Sequence, residues 1–345
     1  MERPQTISEG ASYRGRRVLV TGADGFIGSH LVEALVAEGA LVTAFSLYNS
    51  FDSFGWLDDL ADETLSSIKR LRVDIRDAGF MRRALADQDI VFHLAALIAI
   101  PHSYVAPQSY VETNILGTLN ILDAARVNGV QRVVHTSTSE VYGSAVTLPI
   151  SEDHPLQGQS PYSASKIGAD MLAESYVRSF DAPVVILRPF NSYGPRQSER
   201  AIIPTLIRQF LDSSCQVVKV GDLTTTRDFT FVTDTVAAFM AAGIGARVQF
   251  GRPYNAGSGK MISVGGLIEV LSEVTGTSKP VLQEQERMRP GKSEVRALQA
   301  DSRRIFGDTG WQPRASLQQG LARTTDWWRR RLQHGQVRRH SGYMS

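Results

Sequence analysis

Between residues 17 and 188 this 345-residue chain repeats one pattern, a short apolar run rich in β-branched residues followed by a helix-length segment. The runs fall at 17–21, 41–45, 71–74, 90–94, 133–137 and 184–188. Consecutive parallel strands need crossovers long enough to hold a helix, so this alternation commits the chain to a parallel sheet covered by helices. The runs are almost continuously apolar, which fits strands buried on both faces. After Arg188 the rhythm breaks at Pro189, Asn191, Gly194 and Pro195. Helical patterns at 204–211 and 233–244 then flank a Thr- and Arg-rich loop at 224–230. The rest, to about residue 328, reads as a smaller lobe over the carboxyl edge of the sheet.

The junction between the first run and the helical pattern at 26–38 narrows the class. Gly22-Ala-Asp24-Gly25-Phe26-Ile27-Gly28 allows a tight turn and lets a pyrophosphate approach the helix N-terminus, where free amides and the helix dipole favour negative charge. The spacing is GxxGxxG, and its place between strand and helix makes it a dinucleotide signal. The expected fold class is therefore α/β, a Rossmann-type doubly wound parallel sheet with a smaller C-terminal substrate-binding lobe. Residues 15–190 are expected to form the dinucleotide-binding domain, completed by about 230–262. The lobe is assigned 191–229 and 263–328, and 1–14 and 329–345 are read as tails.

An acid at the end of the second strand normally binds the adenosine ribose. Ser46 stands there instead, and no Arg at 45–49 is available for a 2′-phosphate. NAD is the expected cofactor, with NADP left open. Asp74 and Ile75, after the third strand, are placed at the adenine. Leu94, Ala95 and Ala96, after the fourth, let the backbone pass close to the dinucleotide.

Two further strings carry chemistry. Ser160-Pro161 is a good helix start, with Ser160 as cap and Pro161 in the first turn. Tyr162 and Lys166 then share one helix face, and the ammonium is expected to lower the phenol's proton affinity so that it can take a hydroxyl proton as hydride leaves the carbon. Thr138, just past the fifth strand, can hydrogen-bond the same hydroxyl. Glu140 lies two residues on, where an extended segment would project it alongside Thr138. A plain dehydrogenase has no use for that extra carboxylate.

The bulk numbers exclude other classes. A formal charge of +2, with 42% hydrophobic and 21% charged residues, predicts no strong attraction to nucleic acid or membrane. Arg329, Arg330, Arg331, Arg338 and Arg339 follow the last acid, Asp326, and are read as a solvated helix end and terminus. Cys215 is the only cysteine, so no internal disulfide or cysteine zinc cage is possible, and no metal is expected. Residues 1–15 lack the apolar stretch of a secretory signal, no run approaches the ~20 apolar residues of a membrane span, and a cytoplasmic protein is expected.

Over roughly residues 15–328 the chain resembles the extended short-chain dehydrogenase/reductase family of nucleotide-sugar epimerases and dehydratases. The resemblance rests on Gly22 to Gly28, His93-Leu-Ala-Ala96, Thr113-Asn114, Tyr162 with Lys166, Arg188-Pro-Phe-Asn-Ser-Tyr-Gly-Pro195, and Arg227-Asp-Phe with Asp234. Tyr48-Asn-Ser-Phe-Asp-Ser-Phe-Gly-Trp-Leu57, the string from Pro155 to Lys166, and Gly194-Pro-Arg-Gln-Ser198 look like the legionaminic-acid-type 4,6-dehydratase branch, whose members act on UDP- or GDP-linked N-acetylglucosamine. The resemblance implies that Asn114 and Pro189 join Tyr162 and Lys166 around the cofactor and that Asn191 touches the sugar or its phosphates. It makes Arg227 the pyrophosphate ligand, with Arg196, Arg289 and Arg296 as further candidates. It also implies a homodimer paired through a four-helix interface.

The implied reaction is oxidation at C4, removal of the C5 proton by Glu140, loss of the 6-hydroxyl and return of the hydride. Dehydratases of this family carry Thr-Asp-Glu where this chain has Thr138-Ser139-Glu140, and a serine hydroxyl is too weak an acid to expel hydroxide unaided. Either Glu140 gives back the proton it took, or Ser139 relays one from Glu140 or water, or the hydride returns to another carbon or the reaction stops at an unsaturated sugar. A 4-epimerase and a UDP-glucuronate decarboxylase, which shares the Thr-Ser-Glu-Val-Tyr-Gly string, remain alternatives, and so does a non-catalytic dinucleotide-binding scaffold.

Overall fold

The computed structural model describes residues 12–285 and 295–337. In chain order its first half comprises β1 (Arg17–Thr21), α1 (Phe26–Ala37), β2 (Leu41–Ser46), α2 (Asp62–Ser67), β3 (Lys69–Arg72), α3 (Ala78–Ala84), β4 (Ile90–His93), α4 (Ile100–Val105), α5 (Pro107–Tyr110), α6 (Gly117–Val127), β5 (Arg132–Thr136), α7 (Pro161–Phe180) and β6 (Val184–Pro189). The second half comprises β7 (Asn191–Tyr193), α8 (Ile202–Leu211), β8 (Val218–Val220), β9 (Thr226–Phe231), α9 (Val232–Ile244), β10 (Pro253–Ala256), β11 (Met261–Ser263), α10 (Val264–Thr275), β12 (Val281–Gln283), α11 (Arg303–Thr309) and α12 (Leu317–Gln333). Short 3₁₀ turns lie at Gly55–Asp59 and Ser139–Tyr142, and a π-helical turn at Val111–Leu116 leads into α6.

Seven strands form one parallel sheet in the order β10-β6-β5-β4-β1-β2-β3. Strand order reverses between β1 and β4, so a crevice opens there at the carboxyl edge, the place where open α/β sheets bind ligands. One face packs Leu31, Val32 and Leu35 of α1 and Phe239 of α9 against Val18 and Val20; the other packs Ile121 and Leu122 of α6 against Leu19 and Val91. Alternate residues of each strand thus feed two cores, which is why the strands read as continuously apolar.

The lobe is built on β7, β9 and β11, with β8 and β12 paired beside it. The chain also returns to the large sheet after the lobe begins, since α9 packs beneath it and β10 pairs in parallel with β6. The third strand starts earlier than the hydrophobic run suggests, pairing 69–72 with 43–46. It is an edge strand, where Lys69 and Arg70 can stay in water.

Both supposed tails are shorter than expected. Tyr13 is 2% exposed and donates to the Met240 carbonyl at 2.7 Å, so the core begins before residue 15. Helix α12 continues to Gln333, and Arg331 meets Asp59 at 2.7 Å while stacking on Trp56 and Trp327. Arg338 and Arg339 lie outside the described residues.

Candidate active site

The glycine loop is packed so closely that side chains cannot enter. A Cβ on Gly22, whose φ is +65°, would lie 2.8 Å from the Ala95 amide nitrogen, and one on Gly28 would lie 2.1 Å from the Gly22 carbonyl oxygen. Thr21 completes the junction, its hydroxyl accepting from the Leu94 and Ala95 amides at 3.0 Å each. The ends of β1 and β4 are therefore one unit. Helix α1 starts at Gly25 with no side-chain cap, which leaves the amides of Phe26, Ile27 and Gly28 to face a ligand. Burial raises the pKa of Asp24, whose carboxylate accepts from the Leu47 amide and ties the loop to the end of β2.

The surroundings fit a dinucleotide. The Ser46 hydroxyl is buried at the end of β2 with no hydrogen-bond partner, where a ribose hydroxyl would supply one. Sequence neighbours alone hid a cation here. Register places Arg72 of β3 directly beside Ser46, stacked 4.2 Å from the Phe54 ring centroid and 2.6 Å from the Asp52 carboxylate. Three residues expected at the cofactor also have structural partners. Asp74 is paired with Arg76 at 2.6 Å. Ile75 belongs to the core under Gly117, where a Cβ would come within 2.4 Å of it. Asn114 spends both amide hydrogens on the Leu97 carbonyl and the Ser165 hydroxyl, at 2.9 Å each, and accepts from the Leu97 amide. Asn114 therefore clamps the loop after β4 onto α7, with no donor left for a cofactor. Pro189 is buried at the end of β6, paired in register with Ala256, and Ala96 lies half-buried in the loop after β4.

On the opposite wall, Ser160 caps α7 in a reciprocal capping box with Ser163, and Pro161 opens the helix. This delivers Tyr162 and Lys166 onto one buried face. The segment past β5 is not extended as expected. Thr138 caps the 3₁₀ turn Ser139–Tyr142, its hydroxyl accepting from the Glu140 amide at 3.2 Å. The same hydroxyl hydrogen-bonds the Tyr162 phenol, and the Glu140 charge acts on that phenol as well. Thr138, Glu140 and Tyr162 thus meet through a capped turn. Gln157 braces it, donating from its amide to the Val141 carbonyl at 2.8 Å.

The electrostatics also depart from expectation. Burial dominates Tyr162 and pushes its pKa well above the usual phenol value; the Thr138 hydrogen bond opposes this, and the Glu140 charge adds to it. Lys166 is anchored to the end of β5. Its ammonium donates to the Thr136 carbonyl at 2.5 Å, and burial lowers its pKa to about 8. Tyr110 stacks edge-on against Tyr162 at 6.3 Å, closing the site further.

On the lobe side, Asn191 carries a buried side-chain nitrogen without a partner. It pairs in register with Phe229, and Arg227 lies two residues before Phe229 on the same side of β9. Arg296 joins them, its carbonyl accepting from the Thr226 amide at 2.9 Å. Hydrogen bonds from Thr224 hold Asp222 below the usual carboxylate range, and the charges of Arg296 and Arg227 act in the same direction. These two guanidinium groups therefore share one region. Arg196 stands apart, 2.6 Å from Glu33 and 3.3 Å from the Ser29 hydroxyl of α1. It belongs to the cofactor side. Arg289 lies outside the described residues. No cluster of potential metal ligands and no helix long and apolar enough to cross a membrane occurs among the described residues.

This geometry has counterparts in known proteins. The profile of the GDP-mannose 4,6-dehydratase family matches residues 19–324. A dTDP-glucose 4,6-dehydratase of Actinoplanes sp. is 35% identical over 318 residues, spanning 91% of this chain and 98% of that protein. A UDP-glucose 4-epimerase of Mycolicibacterium smegmatis is 34% identical over 323 residues, spanning 92% of this chain and 100% of that protein. The solved structure of MoeE5 in complex with UDP-glucose and NAD superimposes with a TM-score of 0.79 at 34% identity, covering 92% of this chain and 99% of that one.

Proposed function

The chain belongs to the GDP-mannose 4,6-dehydratase family, and from that premise we propose that it converts UDP- or GDP-linked N-acetylglucosamine to the 4-keto-6-deoxy sugar with NAD as its bound cofactor. It is an enzyme of the NAD-dependent nucleotide-sugar dehydratase and epimerase class. The observation that carries the narrower reading is Glu140, whose charge acts on the same phenol that would handle the O4 proton. A 4-epimerase removes and returns hydride at one carbon and has no task for a second base. A 4,6-dehydratase needs one at C5.

When bound, NAD supplies the hydride acceptor and later the hydride donor. Tyr162 takes the O4 proton, with Thr138 holding the hydroxyl in place. The resulting 4-ketone acidifies the neighbouring C5–H, and Glu140 removes that proton. Hydroxide is a poor leaving group, and Ser139, 3% exposed, cannot protonate it unaided. Glu140 therefore passes the C5 proton to the departing 6-hydroxyl, which leaves as water, and as hydride adds to C6 the proton that Tyr162 took from O4 returns to C5 by way of Glu140. The buried surroundings of Tyr162 and Lys166 keep water from the reactive ketone. Asn191, Arg227 and Arg296 hold the pyrophosphate, with guanidinium groups matched to phosphate oxygens. The match to the legionaminic-acid-type strings supports an N-acetylated hexosamine as the sugar. A homodimer through α6 and α7 is part of this reading, supported by the exposed apolar Val111, Leu116 and Met171 on that side. The intracellular setting expected from the sequence suits a nucleotide-sugar substrate.

Incubation with UDP-, GDP-, CDP- and dTDP-sugars, scored by product mass, tests the proposal. Loss of one water from an N-acetylglucosamine derivative is expected. An isomer of unchanged mass would favour the epimerase, loss of carbon dioxide from UDP-glucuronate the decarboxylase, and dinucleotide binding without any turnover the scaffold.

A further inference from the structure

Beneath the redox pair lies a buried charged network to which the proposed reaction gives no task. Asp170 sits one turn after Lys166 on α7 and is fully buried. One carboxylate oxygen accepts from the Ser137 hydroxyl at 2.7 Å and from Arg188 Nη2 and Nε at 3.0 and 3.2 Å. The other faces His135 Nε2 at 3.2 Å. Arg188, 1% exposed, reaches on to the Tyr142 hydroxyl at 3.0 Å, and Tyr142 donates to Asn255 Oδ1 at 2.6 Å. The network therefore grips the end of β5 and both ends of the 3₁₀ turn beyond it. Thr136 receives the Lys166 ammonium, Ser137 binds Asp170, Thr138 caps the turn, and Tyr142 closes it onto Arg188.

Asp170 is the buried carboxylate set against the positive charges of this network. Lys166 and Arg188 are two buried cations. The other titratable groups that meet the Lys166 charge are His93 from β4 and His135 from β5; Tyr162 shares its helix, Tyr110 and Glu140 lie against Tyr162, and Tyr142 is engaged with Arg188. Glu112 on the adjoining π-helical turn is engaged instead with Arg76 and Gln108 at the surface. Burial, and then the charges of its neighbours, hold His93 well below its ordinary pKa. Burial lowers the His135 pKa against the opposing Asp170 hydrogen bond, and with Nδ1 lacking a hydrogen-bond partner the neutral ring is assigned its proton on Nε2, facing Asp170. Burial alone would keep Asp170 protonated, but the hydrogen bond from His135 and the Arg188 charge outweigh it and hold the carboxyl below its usual range.

We infer that Asp170 is a positioning residue for the redox pair, holding Lys166 in its charged form from one helical turn away and, through Ser137 and Arg188, fixing the turn that carries Thr138 and Glu140. This deepens the proposed function, resting on it only for the reaction that the pair serves. The Asp170 charge favours the ammonium against the burial that opposes it, and a nearby opposite charge can shift a pKa by about one unit or more. Removing it should make Lys166 lose its proton at lower pH.

The test reads Lys166 directly. The chain has six lysines, and side-chain-labelled lysine in the full-length protein can be titrated by NMR, with Lys166→Met assigning the signal. In Asp170→Asn the Lys166 midpoint should fall by about one unit. An unchanged midpoint in a folded variant overturns the inference. Asn leaves Arg188 without its counter-charge, and such loss can prevent folding. The double variant Asp170→Asn/Arg188→Met removes both members of the pair, and its Lys166 midpoint should also fall; a midpoint at or above that of the unaltered protein refutes the role. No substrate is needed for this reading. Turnover of UDP- or GDP-N-acetylglucosamine then serves as a second readout, with the alkaline limb of the pH profile moving down in Asp170→Asn. A protein that turns over neither sugar, yet shows the lysine shift, would overturn the proposed function and leave the role of Asp170 standing.

Discussion

Replacing Arg331 with Ala should weaken NAD binding although the residue lies on the last helix, far along the chain from the glycine loop. The chain of contact is short. Arg331 of α12 pairs with Asp59 at 2.7 Å and lies 5.0 and 5.1 Å from the Trp56 and Trp327 ring centroids. Trp56 donates its amide to the Asp24 carbonyl at 3.0 Å, and a Cβ on the adjacent Gly55 would come within 2.8 Å of that oxygen. The 3₁₀ turn at Gly55–Asp59 therefore braces the cofactor loop, and α12 braces the turn. Each cation–ring contact is worth about 0.5–1 kcal/mol at partly exposed sites. The ion pair, with Asp59 42% exposed, adds at most about 1 kcal/mol. These terms sum to at most about 3 kcal/mol, and transmission of up to about 2 kcal/mol of that to the loop corresponds to roughly 30-fold in cofactor affinity. Some restraint survives, because Trp56 still packs edge-on against Trp327 at 5.6 Å. Titration of NAD into Arg331→Ala and the unaltered protein, with denaturant unfolding in parallel, should show a Kd weaker by about 3- to 30-fold, the range that roughly 0.7–2 kcal/mol spans. Arg331→Lys should recover part of the loss. An unchanged Kd would refute the idea that α12 supports the cofactor loop.

Three other outcomes are expected from the same geometry. Glu140→Gln should cut water elimination by about 10²–10⁴-fold while NAD binding persists, and mass analysis that still finds the dehydrated product at the original rate would remove Glu140 from the mechanism. Gly28→Ala places a methyl carbon 2.1 Å from a backbone oxygen that cannot yield; the expected cost is about 1–3 kcal/mol with loss of NAD binding, and thermal unfolding plus NAD titration check both. Lys166→Met should abolish turnover yet raise stability near neutral pH. The folded-state pKa of Lys166 is depressed to about 8 from 10.5, so between those values the unfolded chain binds the extra proton and stability climbs with pH. The Met variant should lose that rise, its advantage of about 3 kcal/mol being full below a pH of about 8 and gone above about 10.5. A stability difference independent of pH would show that Lys166 carries no burial cost.

Much of the cofactor half was legible in the sequence because its determinants are local. Glycine spacing, strand hydrophobicity and the Ser160-Pro161 cap act within a few residues, so Gly22 to Gly28 and the Tyr162/Lys166 face could be placed from the string itself. Glu140 was recognised as the distinguishing carboxylate, but for a geometric reason that the capped 3₁₀ turn replaces. The substrate side was less legible. Asn191, Arg227 and Arg296 come together across β7, β9 and the Thr226–Arg296 backbone contact, whereas Arg196, adjacent in sequence to the same motif, swings to Glu33 on α1.

By itself the sequence determined the α/β class, the dinucleotide loop and the identity of the groups that could handle protons, since periodicity and short-range caps are written in neighbouring residues. Only the tertiary structure decided what state those groups are in. Strand register set Arg72 beside Ser46, and helix packing turned Asn114 from a ligand candidate into a clamp. Burial raised Tyr162 and lowered Lys166, and Asp170 drew Arg188, His135 and Ser137 into one network. Desolvation and charge depend on every neighbour within a few ångströms, and those neighbours come from distant stretches of the chain.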